Sequence, residues 1–185
     1  MISSEWFFWL NYFTEDDIRE LNGLRDNHVK VASDTPALDP TKELKKVSLV
    51  TPVEWGVCAP LLSAIDEEVI LTNRNNYGYH IDQNLLTNRV LFNDYCEADN
   101  YDWHQDGSND KRFDYKFTVL INTSLESYEG GELQLFQQGG IKTVKELNTQ
   151  GSVVMFRSDI PHRVTAITKG KRSSLVYWKE GPSFV

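Results

Sequence analysis

Apolar positions fall into two textures along the chain, and the change comes near residue 85. In the first part the spacing is helical. Ile18, Leu21 and Leu24 follow Thr14-Glu15-Asp16-Asp17, whose threonine can cap a first turn that its acids also favour. This predicts a helix over roughly 14–28. Thr51-Pro52 reads as the start of a second helix, with proline at the tolerated first position. Its apolar face runs through Trp55, Leu61, Leu62, Ile65, Val69 and Ile70, Pro60 predicts a break or kink, and Asn73–Gly78 ends it. Ahead of both, Trp6-Phe7-Phe8-Trp9-Leu10 reads as a strand or an aromatic anchor. Residues 30–50 carry turn signals at Ser33–Pro36 and Leu38–Pro40 and a solvated charged patch at Lys42–Lys46. This segment, and the polar stretch 107–114, are candidates for loops that close over a pocket.

After residue 84 short β-rich runs take over: Asn88–Tyr95, Tyr115–Asn122, Glu132–Phe136, Ile141–Val144, Ser152–Phe156, Arg163–Ile167 and Ser173–Trp178. Gly130-Gly131, Gly139-Gly140, Gly151 and Gly170 punctuate them. So many strands in so short a span predict two facing sheets, a jelly roll or double-stranded β-helix. The fold class expected is therefore mostly β with N-terminal helices (α+β). Residues 1–185 form one domain, with 1–84 as helical support for one sheet and 85–185 as the jelly-roll core.

Composition narrows the functions available. The 185 residues are 40% hydrophobic and 12% aromatic, enough for one substantial core. A formal net charge of −8 argues against a nucleic-acid partner, since such binding needs a positive field facing the phosphates. Cys58 and Cys96 have no CxxC spacing and read as two buried apolar thiols rather than a disulfide or zinc site. The N-terminal apolar run lacks a preceding cation and a cleavage site, and it is too short to span a bilayer. A soluble cytoplasmic protein without a membrane partner is the expectation.

The chemistry gathers around Tyr101-Asp102-Trp103-His104-Gln105-Asp106. Residues two apart on a strand share a face, so His104 and Asp106 can share one metal ion. His162, in Ser158-Asp159-Ile160-Pro161-His162, is the candidate third ligand. Two histidines and a carboxylate with open positions left over make the facial triad of non-heme Fe(II) oxygenases. Ten residues beyond His162 stands Arg172, with Ser174 on the same strand face. An arginine fork receives a carboxylate bidentately, so metal and arginine together suit a dicarboxylate held at both ends. A non-oxidative cupin-like metal protein needs the triad but has no use for Arg172. A β-sandwich with an accidental triad needs neither.

From about residue 85 to 179 the chain resembles the Fe(II)/2-oxoglutarate-dependent dioxygenases, most closely their prolyl 4-hydroxylase branch. Tyr95 and Tyr101 stand nine and three residues before the first ligand, as in that branch. Gly130-Gly131-Glu132-Leu133 matches its GGEL turn, Gly151–Phe156 its strand toward the second histidine, and Gly170–Ser174 its G-x-R-x-S, with Trp178 beyond. Ala98 departs from the pattern, standing where many members have glycine.

The resemblance implies Fe(II) on His104, Asp106 and His162. It implies 2-oxoglutarate as cosubstrate, its far carboxylate on Arg172 with Ser174 and Tyr95 as further hydrogen-bonding candidates. It also implies O2 as oxidant, ascorbate as reductant, and C–H hydroxylation with release of succinate and CO2. The substrate it suggests is proline or a prolyl residue in a peptide or protein. A free amino acid or small metabolite is the alternative. Tyr101, Trp103, Trp178 and Arg89 are the candidates for lining the substrate pocket. Related halogenases replace the carboxylate that Asp106 supplies. The nucleic-acid demethylase branch carries a second arginine where this chain has Trp178.

Overall fold

The computed structural model describes residues 6–28, 31–32, 49–82, 89–107 and 112–183. In chain order the elements are β1 (Trp6–Trp9), α1 (Glu15–Asp26), β2 (Val31–Ala32), β3 (Leu49–Glu54), α2 (Trp55–Asn76), β4 (Arg89–Tyr95), β5 (Tyr101–His104), β6 (Phe113–Asn122) and β7 (Glu129–Gly130). Then follow β8 (Leu133–Gln137), β9 (Gly140–Thr143), a 3-10 turn (Lys145–Asn148), β10 (Val153–Arg157), β11 (His162–Val164), β12 (Ile167–Lys169) and β13 (Arg172–Pro182). The chain is mostly β. No helix among the described residues is long and apolar enough to cross a membrane.

Thr14 starts α1 as its sequence suggests. Its hydroxyl accepts from the Asp17 N–H at 3.2 Å, and the Asp17 carboxylate accepts from the Thr14 N–H at 2.8 Å. This reciprocal capping satisfies two donors that the first turn leaves open. Ile18 and Leu21 are then buried. The second helix differs from the expectation. Thr51 and Pro52 lie in β3, and α2 begins only at Trp55. Pro52 is tolerated there because β2 pairs only with Leu49 and Val50, and among the described residues no strand pairs with the outer side of β3 beyond that point. Pro60 does not end α2, which continues through it to Asn76 with one backbone bond fewer.

A seven-stranded sheet runs β1-β10-β6-β13-β4-β3-β2, and a four-stranded sheet runs β5-β11-β8-β9. The N-terminal region is thus more than a helical support, since β1, β2 and β3 all join the large sheet. Alternation along β6 and β13 sorts their side chains to two faces. Phe117, Val119, Ile121, Leu175 and Tyr177 pack with Ile18, Leu21, Leu62, Ile65 and Val69 of the helices. Leu120 and Val176 point the other way, into a second cluster with Leu133 and Leu135 of the small sheet. Both faces of the large sheet are therefore covered, by helices outside and by the small sheet inside.

The expected run Arg163–Ile167 is divided. β11 belongs to the small sheet, whereas β12 pairs with β7. The backbone leaves the small sheet between them, where Ala166 O accepts from the Gly131 N–H at 3.1 Å. A side chain on Gly130 would meet that same oxygen at 2.2 Å, which explains the glycine in the GGEL turn. Cys58 is buried and its thiol is pushed up to about 11 by desolvation, but Cys96 is exposed, contrary to the expectation of two buried thiols. The charged patch Lys42–Lys46 and most of the loop candidate at 30–50 lie outside the described residues.

Gly151 fixes where the segment before α1 crosses the large sheet. Its φ is +71°, its carbonyl accepts from the Phe13 N–H at 3.0 Å, and a Cβ there would meet Phe13 O at 2.1 Å. Gly151→Ala combines left-handed strain with a backbone clash. It is expected to cost about 2–5 kcal/mol of unfolding free energy in urea titrations.

Candidate active site

β5 and β11 lie side by side, with His162 directly opposite His104. Each ring is set by the backbone carbonyl two residues before it. His104 Nδ1 lies 2.7 Å from Asp102 O, and His162 Nδ1 lies 2.9 Å from Ile160 O. A carbonyl only accepts, so Nδ1 carries a proton in both rings, and in the neutral tautomer Nε2 keeps its lone pair. Asp106 closes the group: Oδ1 is 3.6 Å from His104 Nε2, and Oδ2 is 3.5 Å from His162 Nε2. Among the described residues this is the one cluster with metal-ligand geometry, its three donor atoms lying within 4.8 Å of one another.

Strand alternation does not place Asp106, however, because β5 ends at His104. Its N–H donates to Ser158 O at 3.1 Å. Its Oδ2 accepts from Thr118 Oγ1 at 2.6 Å and from Trp178 Nε1 at 2.9 Å. The sequence does not single out Thr118 or Ser158 as site residues. The signal for Thr118 is a hydroxyl inside the apolar run Phe117-Thr118-Val119-Leu120-Ile121. Trp178, expected to line a substrate pocket, supports the carboxylate and stacks on Tyr115 at 5.2 Å.

Arg172 is 1% exposed. Its Nη1 donates to Ser174 Oγ at 3.0 Å, while Nε and Nη2 are buried with no acceptor among the described residues. A guanidinium buried without a counter-charge is costly, and no carboxylate among the described residues forms an ion pair with Arg172. Two orphaned donors on one fork fit an incoming carboxylate. Side chains connect this arginine to the triad. Tyr95 packs against the Arg172 guanidinium at 5.2 Å and shares an apolar cluster with Tyr101, Val164 and Ile167. Tyr101 in turn stacks on His104 at 3.7 Å.

Two candidates are not brought to the triad. Trp103 alternates with His104 and contacts Phe136 and the Arg163 guanidinium instead. Arg89 is exposed at the start of β4, opposite Glu54. Residues 108–111 of the polar loop lie outside the described residues.

Ala98 has a φ of +69°, the left-handed conformation that favours glycine. Its N–H donates to Ile167 O at 2.9 Å. A glycine would take up this backbone without the strain that the alanine Cβ brings. Ala98→Gly is expected to raise stability by about 1 kcal/mol in thermal or urea unfolding.

Burial holds the His104 imidazolium far below the usual histidine range, to about 4, and the neighbouring His162 adds to the effect. The unfolded chain takes up this proton near pH 6.5 and the fold resists it. Stability of the metal-free protein is therefore present above about pH 6.5 and lost as pH falls toward 4. His104→Gln is expected to flatten that part of the curve in unfolding measured at pH 7, 6 and 5.

Residues 90–180 match the sequence profile of the 2OG-Fe(II) oxygenase superfamily. The chain is 36% identical over 92 residues to a PKHD-type hydroxylase of Parvibaculum lavamentivorans, covering 49% of this chain and 41% of that protein. It is 35% identical over 92 residues to a PKHD-type hydroxylase of Idiomarina loihiensis, with the same coverage. The chain thus spans about two-fifths of the length of these relatives. Among solved structures, a Pseudomonas putida prolyl-4-hydroxylase superposes with a TM-score of 0.68 at 20% identity, covering 95% of this chain and 91% of that one. A Trichoplax adhaerens prolyl hydroxylase, solved with a hypoxia inducible factor peptide fragment, gives 0.70 at 16% identity, covering 95% and 83%.

Proposed function

The chain belongs to the 2OG-Fe(II) oxygenase superfamily, and on that premise we propose that it hydroxylates a C–H bond of a prolyl residue in a peptide or protein. The two facing sheets then form a double-stranded β-helix whose interior is the reaction chamber. His104, Asp106 and His162 would hold Fe(II), and Arg172 would hold the far carboxylate of 2-oxoglutarate. Iron and cosubstrate, when bound, supply the oxidation: O2 is consumed, 2-oxoglutarate becomes succinate and CO2, and a hydroxyl enters the substrate. Ascorbate would serve as reductant.

The protein's part is binding, orientation and exclusion of water. With Nδ1 donating to a backbone carbonyl, the neutral form of each imidazole presents an unprotonated Nε2, which a metal requires. Tyr101 covers one face of the His104 ring and keeps it from turning. Asp106 supplies the carboxylate that leaves a hydroxylase no room for a halide ligand. Ser174 orients the Arg172 fork, and Tyr95 covers it. The observation that carries the reading is the buried Arg172, charged and with two donors unanswered, linked by packed aromatic rings to a two-histidine, one-carboxylate cluster. A cupin-like metal protein gives no reason for it.

Succinate formation from 2-oxoglutarate tests this, with wild type beside His104→Ala and Arg172→Ala. Prolyl peptides, free proline, other amino acids and small metabolites form the substrate panel. Turnover is expected in wild type, abolished by His104→Ala and stimulated most by a prolyl peptide. Arg172→Ala removes two charge-assisted bonds of about 1.5–3 kcal/mol each, so KM for 2-oxoglutarate is expected to rise roughly 100-fold or more. Unchanged 2-oxoglutarate binding in Arg172→Ala would overturn the cosubstrate assignment. Stimulation by a free metabolite alone would replace the prolyl substrate.

A further inference from the structure

Asp106 sits two residues past the end of β5, so the sheet does not fix its side chain. Hydrogen bonds do, and their direction can be assigned. A carboxylate only accepts and an indole N–H only donates. Trp178 Nε1 therefore donates to Asp106 Oδ2, at 2.9 Å. The single proton of Thr118 Oγ1 goes to the same oxygen, at 2.6 Å. Ser158 Oγ, 2.8 Å from Thr118 Oγ1, must then be the donor in that pair. The network runs one way: Ser158 to Thr118 to Asp106, with Trp178 entering from the other side.

Its members are themselves held. Thr118 and Ser158 are buried, and the Ser158 N–H donates to Lys116 O at 3.2 Å. Trp178 is the Cα partner of Thr118 across the β6–β13 pairing, and its ring is stacked on Tyr115 with 17° between planes. Both donors converge on Oδ2, and none reaches Oδ1 among the described residues. A carboxylate saturated at one oxygen offers the other, and it cannot rotate without breaking two bonds to buried or half-buried partners.

We propose that Trp178 and Thr118 are positioning residues for the metal-binding carboxylate. Oδ2 lies 3.5 Å from His162 Nε2 but has both lone pairs engaged, so Oδ1, 3.6 Å from His104 Nε2, is the oxygen that Asp106 offers to a metal held by the two histidines. This rests on the reading of that cluster as a metal site. It gives Trp178 a role at the metal in place of the pocket lining expected from its position in the sequence. It also makes Thr118→Val, which keeps the side chain's shape, a change at the metal through one hydroxyl.

Co(II) titration of the metal-free protein under argon, read by the visible d–d absorption, tests it without turnover. The variants are Trp178→Phe, which keeps a ring but loses the donor, Thr118→Val, and Thr118→Ser, which keeps the hydroxyl. Trp103→Phe, on the opposite face of β5, is the control. Circular dichroism melting reports the fold. Trp178→Phe and Thr118→Val are each expected to weaken Co(II) binding roughly 10- to 100-fold and to change the absorption envelope, while Thr118→Ser stays within about twofold of wild type.

Wild-type affinity and spectrum in both Trp178→Phe and Thr118→Val would overturn the proposal and leave the metal site standing. Equal loss in Thr118→Val and Thr118→Ser would overturn it too, because packing rather than the hydroxyl would then be responsible. Should Trp178→Phe fail to fold, the Thr118 pair decides. No Co(II) binding by wild type would remove the metal site itself.

Discussion

The pairing of β6 with β13 is the constraint on which the rest depends. It aligns Asn122–Phe113 against Ser174–Pro182, near the middle of the large sheet. One face of this ribbon supplies Phe117, Val119, Ile121, Leu175 and Tyr177 to the helix-covered core. The other carries Thr118 and Trp178 at one end and Arg172 and Ser174 at the other. A slip of one residue would exchange the two faces. The apolar residues would face the small sheet, and the guanidinium would enter the helix packing. The core that fixes the register is thus also what delivers the polar residues of the site.

The interior so formed is not arranged for stability alone. Arg172 keeps two donors without acceptors, and the His104 ring is held neutral against its usual tendency to take up a proton. Ala98 is held in a left-handed conformation close by in the chain. Such costs are borne by the well-packed remainder, where Ile18, Leu21, Leu62, Ile65, Phe92 and Ile121 are fully buried. Buried groups that lack partners in the protein are where a ligand has most to offer, since it brings the missing counter-charge or acceptor.

Much of this was legible along the chain. The HxD pair, His162 and the Arg172-Ser173-Ser174 segment are each local, and their chemistry follows from residue type. The capped start of α1 and most strand positions follow from period and punctuation. Other features depend on distant parts of the chain. Pro52 suits both a helix start and the open side of a strand, and only the short reach of β2 decides between them. Arg163–Ile167 has continuous β character, and its division between sheets depends on Gly131 meeting Ala166 from a distant part of the chain. Trp178 suited a pocket by its aromatic bulk, and its indole N–H gained a partner only when β13 was registered against β6.

The sequence by itself determined which chemical groups exist and which local elements carry them: two imidazoles, a carboxylate, an arginine, and strands to hold them. These depend on side-chain identity and on neighbours a few residues away. The tertiary structure decided what those groups do to one another. It set His162 opposite His104 and aimed Thr118 and Trp178 at one oxygen of Asp106. It buried Arg172 with two donors unanswered and turned Trp103 to the other face of its strand. Those outcomes are set by pairing between strands tens of residues apart, where a shift of one position changes every contact and leaves the composition of each strand unaltered.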